Sequence, residues 1–197
     1  MATKPAAGRQ PHPIRAAALV IAAAAVLSAL TVLGLRWAAS PKQASASQKD
    51  SGLGFFTMSR AAPPVSLPSL RGTGTISLAK LAGKPIVLNF WSSTCVVCKK
   101  ETPALAEVAR SLGGKVTFLG VDSVDRRDPA IAFDAKYRVP YASVFDPTGS
   151  AAIKYGVVAL PVTFFLSPSG KTIEGEYVGA LTASQARSIL HKLYGTA

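Results

Sequence analysis

The segment from residue 85 to residue 114 is the strongest constraint on how this chain can fold. Pro85–Phe90 (PIVLNF) is a continuous apolar run preceded by turn signals, which is typical of a central strand buried on both faces. A helix is predicted directly after it, from about Cys95 to Leu112, and the pair Gly113-Gly114 ends that helix. A buried strand that leads straight into a helix predicts an α/β domain, in which helices cover the sheet.

The rest of the chain continues this alternation of strands and helices. The further predicted elements are a brief helical stretch at Leu78–Leu81, a strand at 115–124, a helix opened by Asp128 as N-cap and Pro129 at its first position, a turn at 146–149 with a short helix to Tyr155, paired strands at 162–166 and 172–177, and a helix from a capping box at 182–185 to about Tyr194. Because parallel strands need crossovers, which these helices supply, the order predicts a mixed central sheet flanked by helices.

Cys95 and Cys98, the only two cysteines of the chain, are placed at the start of the first long predicted helix. At a spacing of three on a helix their side chains share one face and can bridge. The helix N-terminus stabilises negative charge and lowers the pKa of the first sulfur. A surface thiolate of low pKa attacks disulfides, and the second thiol resolves the mixed disulfide. The pattern therefore favours a redox-active dithiol with a Cys95–Cys98 disulfide in its oxidised form.

Two other uses of the cysteine pair stay open at this point. A structural disulfide across so short a loop would stabilise the fold by only about 2 kcal/mol. A zinc site needs four ligands, and beside the cysteines the chain offers only His12 and His191. Copper held by two thiolates remains an alternative. We predict no metal and no organic cofactor.

The N-terminal region predicts a membrane anchor. Ala16–Leu35 is a run of twenty uncharged residues, long enough at ~1.5 Å per residue to span the ~30 Å hydrocarbon core of a bilayer. Three basic residues and no acid precede it, so the positive-inside rule keeps the N-terminus in the cytoplasm. The alternative is a cleaved signal peptide, with small residues at 38–40 as its cleavage site.

Four segments follow from this interpretation. We predict a cytoplasmic tail at residues 1–15, a single transmembrane anchor at 16–37, a flexible linker at 38–62 that is rich in Ala, Ser, Gln and Lys, and one α/β domain at 63–197 outside the cytoplasm. Residues 61–197 carry fifteen Lys/Arg and nine Asp/Glu, with no basic run interleaved with aromatic residues. The sequence therefore argues against nucleic-acid binding.

Several motifs in a fixed order resemble the thioredoxin superfamily, and within it the TlpA/ResA/CcmG group of membrane-anchored thiol-disulfide oxidoreductases. The resemblance covers about residues 62–194. It is carried by PPVSLPSLRGTGTISLAKLAGKPIVLNFW before the cysteines, by the motif CxxCxxExP at Cys95, Cys98, Glu101 and Pro103, and by YGVVALPVTFFLSPSGK after them. It implies a thioredoxin-like α/β fold preceded by one transmembrane helix.

The resemblance also implies roles for individual residues. Cys95 would be the exposed nucleophile and Cys98 the resolving thiol. Pro161 would be a cis-proline that faces the disulfide, with Leu160 before it contacting substrate. Glu101 would modulate thiol ionisation, although a solvated acid in the first helical turns is the simpler explanation of this residue.

Three further positions near the cysteines are informative. Trp91 and Thr94 complete the predicted substrate-binding surface, Trp91 as a packing wall beside the site. Thr94 stands where the family usually has tryptophan. Asn89 occupies the strand position at which cytoplasmic thioredoxins carry a buried aspartate, whereas the resembled group carries a neutral residue there and uses the helix glutamate.

The resemblance implies a protein-disulfide reductase in the bacterial cytoplasmic membrane, with its C-terminal domain in the periplasm. Its expected partners are disulfide-containing proteins, apocytochrome c among them, a membrane electron donor of the thiol-reducing type, and the lipid bilayer through residues 16–37. Two alternatives are a thiol peroxidase, and a non-enzymatic module that handles copper or holds a substrate.

Overall fold

Eight strands and four α-helices make up residues 54–196, the part of the chain that the computed structural model describes. The strands are β1 (Gly54–Ala61), β2 (Ser66–Pro68), β3 (Thr75–Ser77), β4 (Ile86–Trp91), β5 (Thr117–Ser123), β6 (Ala142–Asp146), β7 (Val162–Leu166) and β8 (Thr172–Val178). The helices are α1 (Val96–Ser111), α2 (Arg127–Lys136), α3 (Ser150–Tyr155) and α4 (Ala183–Tyr194), with a 3-10 turn at Leu78–Leu81.

Six of the strands form one mixed sheet in the order β1-β8-β7-β4-β5-β6, and β2 pairs with β3 in a separate ribbon. Strands β4, β5 and β6 are parallel, whereas β7, β8 and β1 run antiparallel to their neighbours. The predicted mixed sheet is confirmed, with its parallel half joined through α1 and α2, as crossovers require.

Strand β4 lies in the middle of the sheet, and all six of its residues are buried. Ile86, Leu88 and Phe90 pack into the core on one face of the sheet, beside Tyr155 of α3. Val87, on the other face, joins the core formed with α1 and α4. Because side chains alternate along a strand, burial on both faces requires the near-continuous apolar run that the sequence shows.

The predicted flexible linker at 38–62 is wrong for residues 54–61, which form β1 at the edge of the sheet. The Phe55 ring packs edge-on against Phe165, with the ring centroids 5.9 Å apart, so β1 covers the outer edge of β8. Residues 38–53 lie outside the described part of the chain.

Two local predictions also need correction. Helix α2 has Arg126 as its N-cap residue, so Asp128 and Pro129 lie within the first turn instead of opening the helix. Strand β6 went unpredicted because Ala142–Asp146 is short and follows the helix without a clear alternation of polar and apolar residues. The capping box is present: Thr182 and Gln185 exchange hydrogen bonds at the start of α4.

The predicted cytoplasmic tail and transmembrane anchor, residues 1–37, also lie outside the described residues. None of the helices within residues 54–196 has the length and apolar character needed to cross a bilayer.

Candidate active site

The two cysteines form a disulfide at the N-terminus of α1, with their Cα atoms 5.3 Å apart. Cys95 is the N-cap residue, and its Sγ accepts a hydrogen bond of 3.0 Å from the Cys98 N–H. Cys98 is fully buried, whereas Cys95 is partly exposed. An incoming thiolate or disulfide can therefore reach only the Cys95 sulfur without rearrangement of the helix. The roles of Cys95 as nucleophile and Cys98 as resolving thiol stay predictions, which this difference in exposure supports.

An apolar wall supports the disulfide from within the domain. Trp91, at the end of β4, stacks on Phe133 of α2 with ring centroids 4.7 Å apart. Both rings belong to a buried cluster that includes Leu70 and Cys98. Only 4% of Trp91 is exposed, so this residue is a packing wall and offers little surface to a substrate.

The Leu160–Pro161 peptide bond is cis, as the resemblance implied. Leu160 is partly buried and packs against the cluster that contains Cys98, whereas Pro161 is buried and its carbonyl oxygen accepts a hydrogen bond from the Gly179 N–H at 3.0 Å. The chain segment before β7 therefore lies beside the disulfide wall. A substrate contact at Leu160 or Pro161 stays a prediction.

Glu101 lies one helical turn after Cys98 and is only 1% exposed. Its Oε1 accepts hydrogen bonds from the Leu181 N–H at 3.1 Å and from Thr163 Oγ1 at 3.4 Å. Its Oε2 accepts one from Asn89 Nδ2 at 3.0 Å. The simpler explanation of Glu101 as a solvated acid is therefore wrong, because this carboxyl group is inside the protein.

Burial raises the pKa of Glu101 to about 7, although the hydrogen bonds from Leu181, Asn89 and Thr163 oppose the rise. A carboxyl group with a pKa near neutrality can both hold and release a proton under physiological conditions. Cys98 and Glu101 are both buried and three residues apart on α1, so they lie on the same inward face of the helix. Proton exchange between Glu101 and Cys98 stays a prediction.

Asn89 connects Glu101 to the central sheet. It lies on β4 directly beside Thr163 of β7 in the strand register, and its Nδ2 also donates to Thr163 Oγ1 at 2.9 Å. An aspartate at position 89 would bring a second buried carboxylate against Glu101. The neutral side-chain amide of Asn89 donates hydrogen bonds instead, so Glu101 has no carboxylate opposite it at this position.

The loop between β4 and α1 is held by a residue that the sequence analysis did not single out. Asp125, which follows β5, accepts hydrogen bonds from Ser92 Oγ at 3.0 Å and from the Ser93 N–H. Thr94 is exposed, and its hydroxyl lies 3.0 Å from Ser92 Oγ. A signal for Asp125 exists in the sequence, since an acid just after one parallel strand lies at the same sheet edge as the loop after its neighbour.

The histidines considered as metal ligands are not at this site. His191 lies exposed on the last turn of α4, with its Nδ1 3.2 Å from the Thr196 carbonyl oxygen, and His12 is outside the described residues. Within residues 54–196, no three His, Cys, Asp or Glu side chains are arranged to hold a metal ion.

Comparison with known proteins agrees with this site. The AhpC/TSA family model matches residues 58–174. The chain is 37% identical over 138 residues to the thiol:disulfide interchange protein DsbE of Xylella fastidiosa, a match that spans 69% of this chain and 67% of that protein. It is 31% identical over 148 residues to the thiol-disulfide oxidoreductase ResA of Bacillus thuringiensis, across 71% of this chain and 84% of that protein.

A solved structure supports the fold independently. A DsbF homologue from Corynebacterium diphtheriae superposes with a TM-score of 0.65 at 24% identity, over 73% of this chain and 95% of that one. This likeness confirms the predicted thioredoxin-like fold. The chain therefore belongs to the AhpC/TSA family, as a thioredoxin-fold thiol-disulfide oxidoreductase of the CcmG/ResA type with Cys95 and Cys98 as its disulfide pair.

Proposed function

We propose that this oxidoreductase works as a reductase of protein disulfides outside the cytoplasm. The observation that carries the proposal is the asymmetry of the disulfide, with one accessible sulfur on Cys95 and one fully buried sulfur on Cys98. With such a pair, a bulky protein substrate can form a mixed disulfide with the accessible sulfur. The buried sulfur can then attack that mixed disulfide and release the substrate.

The reaction then follows from the positions of the groups. The Cys95 thiolate attacks one sulfur of a substrate disulfide, forms a mixed disulfide and expels the other substrate sulfur as a thiolate, which takes up a proton from solvent. The Cys98 thiol gives its proton to the Glu101 carboxylate and attacks Cys95 Sγ. The second substrate sulfur leaves as a thiol, with the proton returned through Glu101. The substrate disulfide is reduced to two thiols, and the Cys95–Cys98 dithiol is oxidised to the disulfide.

A catalytic cycle needs an electron donor that reduces the enzyme again. We assign this role to a membrane protein with a reactive dithiol, since dithiol exchange is the chemistry that Cys95 performs. Apocytochrome c is the first substrate to test, because the resemblance to the CcmG group implies it.

The proposed location rests on the uncharged run at residues 16–35 and the basic residues before it. We propose a single-pass anchor in the bacterial cytoplasmic membrane, with the catalytic domain in the periplasm. A reporter enzyme that is active only outside the cytoplasm, fused after Ala197, should be active, and carbonate extraction should leave the chain in the membrane. An inactive fusion would indicate the opposite orientation. A soluble mature chain would indicate a cleaved signal peptide instead of an anchor.

The proposed chemistry is tested by trapping. Cys98→Ser should accumulate mixed disulfides between Cys95 and substrate proteins, because the resolving thiol is absent. Cys95→Ser should not, because Cys98 is buried. Non-reducing gels with mass spectrometry of the adducts measure the difference. Equal trapping by both variants would mean that the nucleophile is misassigned. Stoichiometric copper binding without insulin-disulfide turnover by the wild type would favour the copper-handling alternative.

A further inference from the structure

Two aspartates, Asp122 near the end of β5 and Asp125 just after that strand, have no part in the chemistry above. Asp122 is fully buried, and neither of its carboxyl oxygens accepts a hydrogen bond from any donor in residues 54–196. Its neighbours in the strand register are Trp91 on β4 and Phe145 on β6, which carry no charge. A buried carboxylate left without donors destabilises a fold strongly. Asp122 therefore needs an explanation that its strand neighbours do not supply.

The Asp122 side chain interacts with that of Asp125, which follows it by three residues. The Asp125 carboxylate accepts hydrogen bonds from Ser92 Oγ, from the Ser93 N–H and from the Arg126 N–H. Burial alone would raise the pKa of Asp125, but these hydrogen bonds outweigh burial and hold its pKa below the ordinary value. Asp125 is thus the ionised member of the pair.

Two carboxyl groups in contact satisfy each other only when one of them carries a proton. Burial in the first place, and repulsion from Asp125 and Asp134, raise the pKa of Asp122 to about 8, with Arg127 acting in the opposite direction. These are the charged groups that face Asp122, and Asp134 is itself paired with Arg71, whose Nε lies 3.2 Å from its Oδ2. At neutral pH the proton of the pair therefore resides on Asp122.

We propose that Asp122 is a positioning residue for the disulfide exchange proposed above: its protonated carboxyl group donates a hydrogen bond to Asp125, and the pair holds the Ser92–Thr94 loop and the Cys95 that follows it. The loop is tied to Cys95 directly, because the Cys95 N–H donates to the Ser92 carbonyl oxygen at 3.2 Å. The Asp125 carboxylate fixes the same residue, Ser92, through the Ser92 hydroxyl group.

Loss of the proton would release this arrangement. An ionised Asp122 would repel the Asp125 carboxylate, and each of the two would gain by moving toward solvent. Asp125 would then give up its hydrogen bonds to Ser92 and Ser93, and the loop before Cys95 would lose its only carboxylate partner among the described residues. The pair acts through the loop and touches no substrate atom.

The test compares full-length wild type, purified in detergent, with Asp122→Asn, Asp125→Asn and the control Asp128→Asn, which changes an exposed acid of the same segment. The amide introduced by Asp122→Asn keeps a donor toward Asp125 at every pH but cannot ionise. The measurement is the rate at which the reduced enzyme cleaves the small disulfide 5,5′-dithiobis(2-nitrobenzoate). Dividing the wild-type rate by the Asp122→Asn rate at each pH cancels the ionisation of the thiols.

We expect this ratio to stay near one below about pH 7 and to fall about threefold or more by about pH 9, since a hydrogen bond to a charged group is lost in the wild type alone. Asp125→Asn should react about tenfold more slowly at every pH, and Asp128→Asn should match the wild type. A wild-type to Asp122→Asn ratio that does not change with pH would overturn the proposal.

A second readout does not depend on turnover or on a folded variant. The backbone amide resonance of Ser93 in the wild type should shift with an inflection near pH 8 and exchange its proton faster above it. Absence of any inflection between about pH 7 and 9 would also overturn the proposal. A wild type that fails to cleave any disulfide would refute the proposed function, and the Ser93 amide would still decide the role of Asp122.

Discussion

Glu101 and Asp122 are both buried carboxyl groups near the end of β4, at 1% and 0% exposure, yet their surroundings differ completely. Glu101, on α1, receives hydrogen bonds from three donors. Asp122, on β5, receives none from the described residues and contacts a second carboxylate. Burial raises the pKa of Glu101 to about 7 and that of Asp122 to about 8. Burial is the largest cause of the raised pKa of both acids, and the hydrogen-bond donors around each acid decide whether its proton can be released at neutral pH.

The contrast indicates which of the two groups suits proton transfer. Donors that stabilise the Glu101 carboxylate make both of its charge states accessible at neutral pH, as a group that shuttles protons requires. Asp122 keeps its proton until the solution becomes alkaline, so it suits a fixed structural hydrogen bond. The two acids differ in role because their neighbours differ in hydrogen-bond donors.

Removing Glu101, the proposed proton shuttle, should cause the greatest loss of activity. Glu101→Gln should slow disulfide exchange about 10²-fold, as the loss of a positioned acid–base group typically does, and should lower at least one thiol pKa, because a carboxylate that repels a nearby thiolate is gone. Wild-type exchange should show an inflection near pH 7 that the variant lacks. Parallel measurement of thiolate absorbance and turnover against pH checks both effects.

The control for this variant is Glu107→Gln on the same helix, where the acid is exposed and pairs with Arg187 at 2.8 Å. Glu107→Gln should leave the rate of disulfide exchange and the thiol titration unchanged. The double variant Asn89→Asp, Glu101→Gln exchanges the carboxyl and amide groups of the Asn89–Glu101 hydrogen bond. It should restore part of the rate of disulfide exchange. If Glu101→Gln leaves both the thiol titration and the rate of disulfide exchange unchanged, Glu101 has only a structural role.

A more modest effect, on the free energy of unfolding, is expected when Asp122 is replaced by asparagine, which cannot ionise. Its pKa is raised in the folded state, so the folded chain binds more protons than the unfolded one and wild-type stability falls as pH rises from about 4 to about 8. Asp122→Asn cannot ionise and should be more stable than the wild type at pH 8 by about 1–3 kcal/mol, because the wild type must take up a proton or bury a charge at this position on folding. Urea unfolding at pH 5 and pH 8 measures the difference.

The corresponding Glu101→Gln unfolding experiment separates the two acids further. Its stabilising effect should be complete by about pH 7, the pKa of Glu101, whereas that of Asp122→Asn should grow further toward pH 8. Identical pH profiles for the two variants would contradict the distinction drawn between the two sites.

The least change is expected at Val124, between Asp122 and Asp125. It has a φ of 52°, a left-handed conformation that is costly for a β-branched residue, and its side chain is 70% exposed. Val124→Gly should stabilise the fold by about 1 kcal/mol, since glycine adopts this conformation without strain. Thermal unfolding checks the sign, and a destabilised variant would show that the exposed Val124 side chain contributes packing that outweighs the strain.

Much of the fold could be predicted from local pattern. The β4–α1 unit, the β7–β8 hairpin and the last helix followed from an apolar run, a turn rich in serine, proline and glycine, and a capping box, each of which acts within a few residues. The predictions failed at β1 and β6. The residues of β1 show no sustained period and therefore indicate a linker, whereas the strand forms by pairing with β8, more than one hundred residues away in the sequence.

The candidate site divides in the same way. Cys95, Cys98 and the helix start that carries them could be identified from the sequence alone, because they depend on spacing along one segment. The burial of Glu101 among donors from β4, β7 and the segment before α4 required the folded structure, as did the contact of Asp122 with Asp125 beside the Ser92–Thr94 loop. The pKa of a carboxyl group depends on which atoms surround it in space, and those atoms come from strands and loops that are distant in the sequence.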